Sequence, residues 1–380
     1  MAASTFKTLT DEDIVSTRTL LHEAIPLTGT IVSGTYSDNN IKFHTHGMFQ
    51  TVYDYPYLSS SANHIFDITY GMSTNSDIYD TNVNQYKKKK NIYNQMAQVL
   101  VGYDVTGSVL EFDADGNILA GGDKLRDTFI IPFSRLLVKD EIKKESFSLT
   151  LGVSSSVDFD GALFQDRITI QDIGAKNSYF VNSPAGEYGI LYATASSQIG
   201  TLLHSTNTVS LDGNPYHPVG LIYYQAGIVV LSGSVFKDQA EGGIIHNDSG
   251  SCEFHDSTYA LASATSSFAE MTDNFTIKTI GNNFRNRLYN ISFNNTTELN
   301  STIYFCRANS TEFNYSSNPT YLSQSEIVVK DSNPQADPVT YITTIGLYSP
   351  NNELMAVAKL SEPLKKTPSN EFTLRVRLDY

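Results

Sequence analysis

His44 and His46 stand one residue apart in the stretch Phe43-His44-Thr45-His46-Gly47. On an extended chain residues i and i+2 share a face, so two imidazoles at this spacing could chelate one divalent cation. A working site also needs a third ligand and an outer shell of supporting groups. His22, His64, Asp54 and Asp67 are available, and spacing selects none of them. Histidines in surface or packing roles are the expected reading, with no metal and no other cofactor. Asp113-Ala114-Asp115-Gly116-Asn117 begins like a calcium loop. Its glycine falls at the fourth position, however, and Lys124 stands where a bidentate glutamate belongs. A tight turn between strands is expected there. The run Lys87–Lys90 could meet phosphate, but it reads better as a solvated helix start or a contact to an acidic neighbour. Cys252 and Cys306 are 54 positions apart with no CxxC spacing, so they read as free thiols, with a disulfide left open. No Gly-x-Ser-x-Gly, His-Glu-x-x-His or phosphate-loop motif occurs. No catalytic residues are therefore assigned, and a non-enzymatic protein is expected.

The residues that stand out are aromatic. The chain holds 23 Tyr and 20 Phe but no Trp. Tyrosine combines apolar area with a polar tip and suits contact surfaces. Phe49, Tyr53, Tyr55, Tyr57, Tyr223 and Tyr224 are the candidate contact residues, and filling of sheet cores is the competing reading for each. Arg375 and Arg377 lie on the polar face of the last strand pattern, where they could meet an acidic partner.

These side chains need a scaffold, and the patterning says it is mainly β. At 380 residues more than one core is expected. Hydrophobic residues at 40% and charged residues at 17% fit a folded chain and not a disordered one. Thr10-Asp11-Glu12-Asp13 reads as a helix cap, giving an N-terminal helical segment over 1–26. Residues 27–240 read as one or more β-rich domains, with apolar spacing for a helix over 91–104. Val219 to Leu231 reads as a hairpin around Gln225-Ala226-Gly227. Residues 241–275 read as a connecting region with one short helix near 260–269, and 276–380 as a C-terminal β domain. The chain closes with a hairpin around Ser349–Asn352. A strand follows in which Phe372, Leu374, Val376, Leu378 and Tyr380 alternate with polar residues. Short strands with few helices predict sandwich-like β domains.

Charge narrows the partners. The net charge of −14 argues against nucleic acid and against anionic membrane surfaces. No run of 18 apolar residues occurs, so no membrane insertion is expected. The first residues lack a basic-then-apolar leader, and a protein made in a cytosol is expected.

Three segments carry a resemblance. Tyr341 to Tyr380 resembles the C-terminal end of virion structural proteins from T-even-like contractile-tailed phages. Gly47 to Gly71 (GMFQTVYDYPYLSSSANHIFDITYG) and Asn91 to Asp104 (NIYNQMAQVLVGYD) resemble the cyanobacterium-infecting branch of those phages. The closing strand pattern is loosely similar to the end of the baseplate wedge subunit. The resemblance implies a structural subunit of the tail or baseplate, assembled in the host cytoplasm, with other virion proteins or further copies of itself as partners. A fibre-like or capsid-decorating host-binding protein and a tail-associated glycan-cleaving enzyme are the alternative expectations.

Overall fold

The computed structural model describes residues 6–27, 38–118, 122–152, 167–196, 209–211, 213–236, 276–316, 322–323, 326–327 and 337–380. The fold is mainly β, as the patterning predicts. The strands are β1 (Ile14–Pro26), β2 (Ile41–Phe43), β3 (Gln50–Tyr53), β4 (His64–Met72), β5 (Phe112–Asp113), β6 (Lys124–Leu125) and β7 (Asp127–Pro132). Next come β8 (Glu141–Ile142), β9 (Ser148–Gly152), β10 (Arg167–Gln171), β11 (Phe180–Ser183), β12 (Gly186–Ser196), β13 (Val209–Leu211), β14 (Asn214–Tyr223) and β15 (Ile228–Ser232). The last are β16 (Leu288–Ala308), β17 (Leu322–Ser323), β18 (Glu326–Ile327), β19 (Thr340–Tyr348), β20 (Leu354–Lys366) and β21 (Phe372–Asp379). The described helices are α1 (Asn84–Leu100), α2 (Arg135–Val138) and α3 (Ile277–Arg287). Two compact units form: a central unit of Leu21–Thr297, and a terminal unit built from Met1–Leu20 and Glu298–Tyr380.

The central unit is organised by a long antiparallel sheet in the order β16-β9-β10-β12-β14-β15-β7-β4-β3-β2. Its middle strands read as continuous apolar runs because both faces are covered. In β7, Phe129, Ile130 and Ile131 are all fully buried. Without tryptophan, phenylalanines supply the large core contacts: Phe129 meets Phe284 at 5.0 Å between ring centroids, and Phe133 meets Phe293 at 5.2 Å. Helix α3 begins at Thr276, whose Oγ1 accepts the Thr279 N–H at 3.2 Å. It buries Ile277, Ile280 and Phe284. Helix α1 approaches β4 so closely that a Cβ on Gly71 would sit 2.9 Å from the Tyr93 backbone nitrogen. The hairpin expected around Gln225–Gly227 is present, pairing Tyr223 with Ile228, and Gly227 takes φ +65° in its turn.

Three sequence expectations change here. Residues 14–26 form β1 and not a helix. The cap signature is genuine, with Asp13 Oδ2 bonded to both the Thr10 hydroxyl and the Thr10 N–H. It closes only the single 3-10 turn Asp11–Asp13. Ile14, Val15, Thr17 and Thr19 are β-branched, and a ladder partner in β16 outweighs the cap. Helix α1 starts at Asn84, seven residues before the apolar periodicity begins, and takes in the lysine run. Lys87 and Lys88 are exposed, but Lys89 is fully buried over the rings of Tyr70 (5.4 Å) and Tyr86 (5.0 Å). The whole connecting region 241–275, with the short helix expected near 260–269 and Cys252, lies outside the described residues. Cys306, on β16, is a half-buried free thiol.

In the terminal unit β19 and β20 form the predicted hairpin, with Asn352 at φ +63° in its turn. The closing strand β21 pairs antiparallel with β16, from Phe372 opposite Ala308 to Asp379 opposite Ser301. The alternation holds: Val376 is buried, Phe372, Leu374 and Leu378 are half-buried, and Thr373, Arg375, Arg377 and Asp379 are exposed. Tyr380 is tied by its backbone, donating to Asn300 O at 2.8 Å and accepting from Asn300 N at 3.0 Å.

Candidate functional site

The histidine pair sits in the turn between β2 and β3, where Gly47 takes φ +65° and its N–H bonds His44 O at 3.0 Å. The turn brings the two rings together as a parallel stack, 5.1 Å between centroids and 4° between planes. Phe49 packs against both, at 4.6 and 4.9 Å. His44 Nε2 bonds Thr51 Oγ1 at 2.9 Å, and His46 Nδ1 accepts the Met48 N–H at 3.1 Å. Burial first, then the neighbouring His46 and Lys42, hold the His44 pKa below its ordinary value. Stacked rings with one nitrogen already engaged do not converge on a point, and no metal-binding group of three is present among the described residues.

Tyr53, Tyr55 and Tyr57 lead from β3 into the loop that returns to β4. Asp54 shapes this loop: its carboxylate accepts the N–H of Tyr55 at 2.8 Å and of Asn63 at 2.6 Å, plus the Asn63 side chain at 2.9 Å. Tyr55, Tyr57 and Leu58 are exposed. Beside the loop lies an open cleft of about 300 Å³, lined by Ile25, Leu27, Asp54, Asn63, His64 and Leu136 among others. His64 bonds Asp67 at 3.2 Å, and that hydrogen bond raises its pKa. Asn63 and Leu58 were not singled out by sequence. Only proximity to the tyrosine run points to them.

Tyr223 and Tyr224 are not contact residues. Both are fully buried: Tyr223 stacks on Tyr188 at 5.3 Å, and the Tyr224 hydroxyl donates to Asp172 Oδ2 at 3.2 Å. Tyr223 closes β14, whose last five residues are all buried, and Tyr224 opens the turn that follows, so neither side chain reaches solvent. The Asp113–Asn117 segment is the expected turn between β5 and β6. Lys124 pairs with the buried Asp113 and places an ammonium where a calcium loop would place its ion.

A polar cluster that spacing does not reveal surrounds Lys144. Its ammonium pairs with Glu187 and, at 3.7 Å, with Glu141. It also lies over the rings of Tyr179 (4.7 Å) and Tyr224 (5.2 Å). Gln225 Nε2 bonds Glu141 at 3.1 Å and Glu187 at 3.2 Å. Asp172, buried behind Tyr224, accepts the N–H of Glu145 at 2.7 Å and of Phe147 at 3.0 Å. Burial nevertheless raises its pKa to about 7. Each of these carboxylates is engaged by a cation or by fixed N–H and O–H donors. The cluster ties β8 and β12 to the turn between β14 and β15.

Arg375 and Arg377 are exposed on β21. Arg377 Nε pairs with Asp379 at 2.6 Å, and its Nη2 donates to Ser301 Oγ at 3.0 Å. On the adjacent hairpin Tyr341, Tyr348, Leu354, Met355 and Val357 are exposed on strands with no further pairing partner among the described residues.

No protein-family profile, curated protein or solved structure matches this chain. Among the described residues no helix is long and apolar enough to cross a membrane.

Among the described residues, two surfaces expose aromatic or apolar side chains that the sequence singled out or that lie beside them. One is the Tyr53–Leu58 loop of the central unit, and the other is the hairpin and closing strand of the terminal unit.

Proposed function

We propose that this chain is a structural subunit of a bacteriophage virion, placed in the contractile tail baseplate, and that it acts by protein–protein assembly. One observation carries the assembly reading: the β19–β20 hairpin displays Tyr341, Tyr348, Leu354, Met355 and Val357 to solvent. A two-stranded ribbon is marginal in water unless another layer covers it. Exposed apolar area on this scale marks an interaction surface. The virion assignment is supported by the likeness of Tyr341–Tyr380 and of the two N-terminal segments to phage structural proteins. Antibody labelling of purified particles tests it. Label at the tail base agrees with the proposal, whereas label on the capsid surface or on distal fibres refutes the baseplate placement.

A host-binding role has one observation in its favour. Tyr55, Tyr57 and Leu58 are exposed beside a cleft that presents Asp54, Asn63 and His64. Aromatic faces next to fixed polar groups suit sugar contact. Binding of purified protein to host cells, abolished by Tyr55→Ala with Tyr57→Ala, would favour this second reading.

A further inference from the structure

The described residues of the terminal unit bury few apolar side chains fully. Among its described residues only Ala308 and Val376 are fully buried apolar side chains, and the other buried apolar side chains among the described residues belong to the central unit. Thirteen large apolar side chains of the terminal unit are exposed, including Tyr341 (53%), Leu354 (53%), Met355 (69%), Val357 (51%) and Tyr380 (74%). A β unit that leaves so many of its described apolar side chains in water gains little from their burial to offset its chain entropy.

We infer that the terminal unit is completed by another copy of this same chain. The inference deepens the assembly reading above and rests on it in taking the hairpin as a contact surface. Three observations select a copy over an unrelated protein. The first is area. With roughly 200 Å² for each large side chain and about half of it exposed, the thirteen residues offer on the order of 1,000 Å² per chain. A stable interface removes about 800 Å² from each partner. The second is charge. The terminal unit holds nine Lys and Arg against twelve Asp and Glu, a net −3, so the central unit carries −11 of the total −14. Like units can meet with little repulsion at the terminal unit and not at the central one. The third is the pair of open strand edges. In this unit β16 is flanked by β1 and β21, and neither has a second pairing partner among the described residues. The β21 edge bears Arg375 and Arg377; in this unit β1 itself bears Arg18, paired with Glu298, and the exposed acids Asp11 and Glu12 lie in the turn that leads into it. Two β21 edges laid together would oppose arginine with arginine. A β21 edge laid against the β1 edge of the next copy sets its arginines toward the acidic turn Asp11–Glu12 and the Arg18–Glu298 pair, and the sheet continues without leaving either edge bare. Such head-to-tail pairing is heterologous, the kind that builds a ring where the rotation between copies closes and a filament where it does not.

The test is the mass of the purified full-length chain by sedimentation velocity at low micromolar concentration. A whole-number multiple of the chain mass is expected. Met355→Lys with Val357→Lys should shift the protein to monomer, because charges placed in an apolar contact oppose its burial. Both side chains are exposed within one chain, so the substitutions leave its own packing intact. Val105→Lys, at a fully exposed position of the central unit, should leave the assembly unchanged. A monomeric wild-type chain overturns the inference, and so does an oligomer that the Met355/Val357 variant does not dissociate. Neither result touches the virion assignment, which particle labelling decides separately.

Discussion

Replacing Asp172 with asparagine should flatten the pH dependence of stability. The carboxyl is almost wholly buried, and burial raises its pKa from 3.8 to about 7 even though Glu145 N–H, Phe147 N–H and the Tyr224 hydroxyl all donate to it. A carboxyl whose folded value is raised stabilises the fold fully below its unfolded value, and this contribution is lost as pH rises through the folded value. The window therefore runs from about pH 4 to about pH 7. Each pH unit within it is worth ~1.4 kcal/mol, so its whole span is worth about 4 kcal/mol at most. The amide that Asp172→Asn introduces cannot ionise, and it keeps one acceptor for the 145–147 turn. Urea unfolding of both proteins at pH 5 and pH 8 measures the effect. The wild-type chain should lose on the order of 3 kcal/mol more than Asp172→Asn over that interval. Equal losses in the two proteins would refute the claim that Asp172 is held neutral by burial. A larger loss in the variant would show that its three donors overcome desolvation and keep it ionised.

Other predictions follow from close contacts. Gly71→Ala should destabilise the central unit by about 1–3 kcal/mol, because its Cβ would press into the Tyr93 backbone at 2.9 Å and lift α1 from β4; thermal unfolding measures the loss. Tyr224→Phe should cost about 1 kcal/mol by removing the hydroxyl donor to Asp172, read from the same unfolding curves. Purified protein should carry less than about 0.1 equivalent of zinc by metal analysis, since a tetrahedral site needs converging ligands and the His44 and His46 rings are stacked. Deletion of Phe372 to Tyr380 should prevent folding of the terminal unit, since it strips the β16 ladder from Ser301 to Ala308; loss of the hairpin's amide protection in hydrogen exchange is the readout.

Much of the architecture was legible because strand alternation is a local signal. The closing strand, the β19–β20 hairpin and the Gln225–Gly227 turn all appear where the residues place them. The N-terminal strand was not legible, since Thr10 and Asp13 form a true cap and only pairing with β16, some 280 residues away, decides against a helix. Lys89 misleads for a similar reason. A lysine run looks solvated until Tyr70 from another element covers one member. The tyrosine candidates split by burial, which a single strand cannot reveal. Tyr55 and Tyr57 are in a loop and exposed, whereas Tyr223 ends a strand and Tyr224 begins the turn after it, both of them fully buried. The Lys144 cluster draws Glu141, Glu187 and Gln225 from distant stretches, and no spacing rule joins them.

Cross-linking mass spectrometry on purified virions tests the central proposal most directly. Lys359 and Lys365 are exposed on the hairpin and report what covers it. The proposal predicts links from these lysines to another copy of the chain, and links from elsewhere on the chain to other baseplate proteins. Absence of the chain from purified particles, or hairpin links confined to its own chain, would contradict it.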